Sequence, residues 1–285
     1  MQELNFYSDH IIYDFIGAVG SRLFVSRHLP KKATKNMTII FLNPIFEERS
    51  RGHRYIFNWS RILAEKGYEV VRFDYYGQGD SDGEVRELSV ESNLDDISRI
   101  YDWARNLAPG NKIAIHGLRW GATMGALWDS RNLGKLSHLL LWEPIVDSRE
   151  YIMGELRMNL TTQLIIHKKV IEDRKALTKR LESGEPVNID GYHLSPRLWN
   201  HIDAATLANF KPIIPSLIYK FIKLPRNNTE TGPVNYPLKE SLGKITSFNS
   251  PIPTFFLEVP DYSNFNKELF QNSLNWIEEN ERDDS

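Results

Sequence analysis

Short apolar runs alternating with amphipathic stretches across residues 37–142 restrict the fold more than any other feature of this chain. Met37-Thr38-Ile39-Ile40-Phe41-Leu42 is apolar almost without interruption, the pattern of a strand covered on both faces. A helix is predicted from about Tyr55 to Lys66, with Ile56, Trp59, Ile62 and Leu63 on one face and Gly67 as its stop. A strand follows over Tyr68 to Phe73, then a turn-rich stretch, then a helix whose buried stripe is Leu94, Ile97, Tyr101 and Leu107. Lys112 to His116 reads as a strand, Trp120 to Asn132 as a helix and Leu136 to Trp142 as a further strand. Strand, helix and strand in repeated alternation predict an α/β fold, a mostly parallel sheet with helices on both faces.

Glu143-Pro144 ends that regularity. Ser148 to about Pro212 is helical in pattern, broken at Gly184-Glu185-Pro186, and Ser195-Pro196 reads as an N-cap followed by proline at the first helical position. Ile213 to Leu224 reads as a returning strand, Pro225 to Ser250 as loop, Pro253 to Glu258 as a last strand, and Phe265 to Ile277 as a terminal helix. The predicted organisation is a core of residues 1–147 and 213–285 interrupted by a helical cap insertion at 148–212.

Composition narrows the chemistry. Lys plus Arg number 35 against 37 acids in 285 residues, a formal net charge of −2, which argues against nucleic acid as a partner. There is no cysteine, which removes disulfides, thiolate metal sites and thiol nucleophiles together. No run approaches the length of a membrane span and no secretory signal is apparent, so a cytoplasmic location is expected. Nothing has metal-ligand spacing, and no cofactor is expected.

The layout is similar to the α/β-hydrolase fold, in which a strand, a G-x-S-x-G turn and a helix present a nucleophile. Gly79-Asp80-Ser81-Asp82-Gly83 satisfies that pattern literally, but Ser81 lies in a polar loop with no helix directly after it and reads as structural. The right context is Ile115-His116-Gly117-Leu118-Arg119-Trp120-Gly121-Ala122, where the central residue is Arg119. A guanidinium stays protonated and has no lone pair with which to attack a carbonyl. The other members of a triad are missing too. The histidines after residue 119 are His138, His167, His193 and His201, and none follows the predicted last strand.

Several segments together resemble the exosortase-system-associated branch of bacterial α/β-hydrolases. They are Asn43-Pro44-Ile45-Phe46-Glu47-Glu48 with Arg51 and Arg54, Phe73 through Ser81, and Gly117-Leu118-Arg119-Trp120-Gly121-Ala122. Leu141-Trp142-Glu143-Pro144, Gly191 through Pro196 and Phe255-Phe256-Leu257-Glu258 extend the resemblance over nearly the whole chain. It implies the fold, and an arginine at the elbow, more firmly than any reaction.

Arg119 is expected at a helix N-terminus, where free N–H groups and the helix dipole favour an anion. It either holds a ligand's anionic group or pairs with Glu47 or Glu48, whose loop should lie beside the elbow; the two roles are compatible. The candidate ligand-binding set is Arg119, Trp120, Ile45, Phe46, Glu47 and Glu48, with no catalytic residue assigned. Glu143 reads as a solvent-facing strand-end acid, Tyr192 and His193 as turn residues, His53 as a residue near the pocket mouth, and Trp120, Trp128, Trp142 and Trp199 as packing. Asp95 and Asp96 are helix neighbours pointing in different directions. Three functions are compatible with these residues: a non-hydrolytic protein binding a small acyl or anionic metabolite under the cap, an ester or thioester hydrolase or acyl-transfer enzyme with a non-standard site near Arg119, or an interaction protein in a biosynthetic or surface-polysaccharide system.

Overall fold

The structure, a computed structural model, describes residues 10–221, 245–250, 256 and 267–282. Its strands are β1 (Ile11–Ile16), β2 (Leu23–His28), β3 (Met37–Leu42), β4 (Glu69–Phe73), β5 (Lys112–Leu118), β6 (His138–Trp142), β7 (Val187–Ile189), β8 (Tyr192–Leu194), β9 (Ser216–Phe221) and β10 (Ile245–Ser250). The α-helices are α1 (Phe46–Glu65), α2 (Val90–Leu107), α3 (Trp120–Arg131), α4 (Ser148–His167), α5 (Arg174–Glu182), α6 (Pro196–His201) and α7 (Lys267–Arg282).

Among the described residues eight strands form one sheet in the order β1-β2-β4-β3-β5-β6-β9-β10. β2 runs antiparallel to β1 and β4, and the pairs from β4 through β10 are all parallel. In β3 the two-residue side-chain period divides the run between two cores, as a doubly covered strand requires. Ile40 and Leu42 pack on the face shared with α2 and α3, while Met37, Ile39 and Phe41 pack on the face covered by α1 and α7. Trp59 of α1 stacks on Phe270 of α7 at 5.2 Å between ring centroids.

Three local readings are corrected. α1 begins at Phe46, not near Tyr55, so Glu47 and Glu48 stand in the first turn of a helix and not in a loop. β10 forms over Ile245–Ser250, inside the stretch read as loop, because all of its register partners lie in the distant β9. The segment between β6 and β9 is not wholly helical, since β7 and β8 pair as a hairpin turning at Asp190 (φ 51°) and Gly191 (φ 97°). The N-cap at Ser195 does form, its Oγ accepting the Leu198 N–H at 2.9 Å with Pro196 at the first helical position. The strand predicted over Pro253 to Glu258 lies outside the described residues, apart from Phe256.

Candidate functional site

β5 runs into α3 through a single residue, Arg119, whose φ of 53° and ψ of −115° match the first central position of a type II′ turn. Glycine normally takes that conformation, and here an arginine bears the strain. The turn is tight because its flanks are bare. A Cβ on Gly117 would meet the Ala122 backbone at 2.5 Å, and one on Gly121 would collide with the Leu42 carbonyl. The Arg119 N–H donates to the Trp142 carbonyl at 2.9 Å, pinning the turn to β6.

The side chain leaves this turn toward α1. Arg119 Nε donates to Glu48 Oε1 at 3.0 Å, and the guanidinium carbon stands 5.0 Å from the Phe256 ring centroid and 5.4 Å from that of Tyr151. Glu48 is buried, and the buried Tyr151 hydroxyl lies beside it, close enough to favour its carboxylate form. Burial raises the Glu48 pKa and Arg119 works against that rise. Burial in turn disfavours the Arg119 charge, but Glu48, Tyr151 and Glu143 more than offset it, and its pKa stands above the ordinary value. The guanidinium is therefore a fixed positive charge engaged by a carboxylate at Nε alone.

Arg119 opens into a cavity of about 1270 Å³. Phe46, Glu47, Glu48 and Arg51 of α1 line it, with Glu143 to Asp147 after β6, residues of α4 from Glu150 to Thr162 that include Tyr151, Glu155 and Met158, Ile189, Asp190 and Tyr192 of the hairpin, and Lys220 and Phe256. Tyr192 ties the hairpin to α1 by donating to Glu47 Oε2 at 3.0 Å, while Arg51 donates to Glu47 Oε1 at 3.2 Å. Of the expected ligand-binding set, Arg119, Phe46, Glu47 and Glu48 meet on this wall. Ile45 and Trp120 do not: both are fully buried in the core, and the Trp120 indole N–H donates to Asn93 Oδ1 at 2.8 Å. The turn that aims Arg119 outward directs its neighbour inward.

Residues first read as bystanders belong to the cavity. Glu143 is half-buried, not solvent-facing; its Oε2 accepts the Phe221 N–H at 2.7 Å, and burial raises its pKa. Glu155 of α4 is pushed up to about 7, by burial first and then by Glu48. No pattern in sequence singled out Glu155 or Tyr151, because the cavity exists only where α4 meets the sheet end.

Among the described residues, which include all eight histidines, no histidine and no serine lines the cavity. His116 lies fully buried between Phe41 and Trp142, and burial pushes its pKa down to about 3. His53 and His193 are exposed. Ser81 accepts the Phe24 N–H at 2.9 Å and donates to the Asp74 carbonyl at 2.6 Å, so its hydroxyl ties a turn to β2. Asp96 is buried and accepts the Tyr76 N–H at 2.7 Å while Asp95 is exposed. Among the described residues no group of three or more His, Asp or Glu could hold a metal ion, and no helix is long and apolar enough to cross a membrane.

The Glu155 shift has a measurable consequence. Between its ordinary value and about 7, the folded state keeps a proton that the unfolded chain has released. Stability contributed at this position is therefore lost as pH rises through that window. Glu155→Gln is expected to raise stability by about 1–3 kcal/mol at pH 8 and to change it little near pH 4, read from urea denaturation at the two pH values. A stabilisation that does not depend on pH would place the carboxyl in water.

Comparisons with known proteins agree with this architecture. Residues 50–210, more than half of the chain, match the family described as serine aminopeptidase, S33. The lysophosphatidylserine lipases ABHD12 of Macaca fascicularis and Mus musculus are each 30% identical over 93 residues, which is 33% of this chain but 21% of theirs. The chain thus matches only about a fifth of the length of those relatives. Est1E from Butyrivibrio proteoclasticus superposes with a TM-score of 0.62 at 16% identity, over 94% of this chain and 98% of its own. A putative hydrolase from Agrobacterium vitis S4 does so with a TM-score of 0.60 at 13% identity, over 95% and 98%. At those identities the likeness is one of fold. With the parallel sheet, the elbow after β5 and the match over residues 50–210, the chain belongs to the serine aminopeptidase S33 family of α/β-hydrolases.

Proposed function

We propose that this chain is an α/β-hydrolase-fold protein that binds, without hydrolysing it, a small amphiphile carrying one anionic group and an acyl body. The observation that carries this reading is Arg119 itself. It occupies the strained turn where a nucleophile would stand, is held by Glu48 through Nε alone, and opens into a cavity that, among the described residues, is lined by no serine or histidine. The anionic group sits against the guanidinium, where a charge-assisted hydrogen bond is strongest. Phe46, Ile145, Val146, Met158 and Phe256 supply apolar wall for the acyl body. Among the described residues seven acids line the cavity (Glu47, Glu48, Glu143, Asp147, Glu150, Glu155, Asp190) against four cations (Arg51, Arg119, Arg157, Lys220), which disfavours polyanions most strongly. Residues 148–212 act as the cap over a core of 1–147 and 213–285.

Decanoate tests this, with decanol as the uncharged control. Wild type is expected to bind decanoate about ten- to a hundredfold more tightly than decanol by calorimetry. The preference should vanish in the Arg119→Gln, Glu48→Gln double variant, in which neither charge is left unpaired. Decanoate affinity that survives loss of the guanidinium would sink the reading.

Ester or thioester turnover by a carboxylate-activated water is a second reading, favoured by Glu155, whose pKa near 7 suits a general base. It requires turnover of p-nitrophenyl decanoate that Glu155→Gln abolishes.

A further inference from the structure

Large apolar side chains are exposed in an unusual concentration at the end of α4 and in the turn after it. Ile165 is 65% exposed, Ile166 64% and Ile171 57%, with Leu164 and Val170 also exposed. The turn is also built, not frayed. Gln163 Oε1 accepts the N–H groups of Ile171 at 2.7 Å and Glu172 at 3.0 Å, while Gln163 Nε2 donates to the Glu172 carbonyl at 3.1 Å. Lys168 closes the helix in the left-handed conformation at φ 61°. These bonds hold Val170 and Ile171 outward instead of letting them fold back onto the core.

The charges around the patch name the partner. Lys168, Lys169, Arg174 and Lys175 are exposed beside it. Both nearby acids are engaged elsewhere: Glu172 pairs with Arg180 at 2.9 Å, and Asp173 caps α5 by accepting the Ala176 N–H at 2.8 Å. An apolar tip ringed by cations complements an anionic lipid surface, where isoleucines enter the headgroup boundary and lysines meet phosphate. A two-fold contact between copies through the same tip would bring these lysines against one another. Position along the helix agrees. Tyr151, Glu155, Met158 and Thr162 face the cavity, and at the same three- and four-residue spacing the stripe continues to Ile165 and Ile166. We propose that the end of α4 and the turn after it form a docking surface for anionic membrane lipid, placing the cavity mouth at the bilayer. The surface is independent of what Arg119 holds, and vesicle binding needs no cavity ligand.

Co-sedimentation with vesicles tests it, using phosphatidylcholine alone and phosphatidylcholine with roughly one part in four phosphatidylglycerol. Wild type is expected on the mixed vesicles, more weakly at high salt, and largely off the neutral ones. Ile165→Asp with Ile166→Asp, and separately Lys168→Glu with Lys169→Glu, should each weaken binding about tenfold or more while melting like wild type. Wild type that stays off anionic vesicles, or an aspartate variant that binds as well as wild type, overturns the proposal. So does a wild-type dimer in sedimentation velocity that the aspartates dissociate without any vesicle binding, because a second copy then covers the face. Aspartate variants that melt well below wild type would show the isoleucines to be packed, and would overturn it too.

Discussion

Arg119→Ala is expected to cost about 3–5 kcal/mol of folding stability, read from urea denaturation at pH 8. The change leaves Glu48 buried beside the Tyr151 hydroxyl and without the cation at Oε1. A carboxylate in that position protonates, and the cost becomes the free energy of forcing its pKa upward. The loss should therefore shrink at pH 5, where Glu48 takes its proton with little expense, since a raised acid pKa lowers stability as pH increases. Arg119→Gly should be about 1 kcal/mol less harmful than Arg119→Ala, because the backbone at φ 53° favours glycine. Replacing both partners, as Arg119→Met with Glu48→Leu, should recover most of the loss, since an apolar pair of similar volume often matches a buried ion pair. An alanine variant within about 1 kcal/mol of wild type, equal at both pH values, would mean that water solvates the pair and that Glu48 is not held by Arg119.

How much of this was legible beforehand follows from where each signal resides. The mostly parallel sheet was legible from local apolar runs, and Met37–Leu42 advertises a doubly covered strand without reference to anything distant, whereas β1 and β2 carry no such run and were not read. Gly117 and Gly121 likewise declare the elbow, because a close approach leaves no other residue type available. The start of α1 was invisible for the opposite reason. Over Phe46 to Arg54 the inward positions include Phe46, Glu48 and Gly52, so burial there follows the ion pair and the contact of Gly52 with Leu118, not an apolar period. Placing Glu47 and Glu48 in a loop was the price of reading hydrophobicity alone. Glu143 shows the same limit. A strand-end acid before proline is ordinarily wet, and only α4 folding across the sheet end half-buries this one. Adjacency also misled at Ile45 and Trp120, which flank site residues in the chain but point to the other side of a sharp turn.

Trp120→Ala should also cost about 3–5 kcal/mol, for reasons that have nothing to do with the cavity. Trp120 is fully buried on the α2 side of the sheet, and its removal opens a hole between α3 and α2. It also strands Asn93, whose Oδ1 loses the indole N–H and whose Nδ2 is already without a partner. An unsatisfied buried amide adds about 1–3 kcal/mol, so the total should lie at the upper end of the range. Trp120→Phe keeps most of the volume and loses the hydrogen bond; a cost of about 1–2 kcal/mol is expected, and this variant serves if the alanine form does not fold. Decanoate affinity of the phenylalanine variant should stay within about threefold of wild type, because the indole does not reach the cavity wall. A decanoate affinity lowered tenfold or more, with stability nearly intact, would instead make Trp120 part of the ligand site. The elbow would then have to turn during binding, carrying the α3 N-terminus with it, and Arg119 could not remain the fixed charge that its bond to Glu48 makes it.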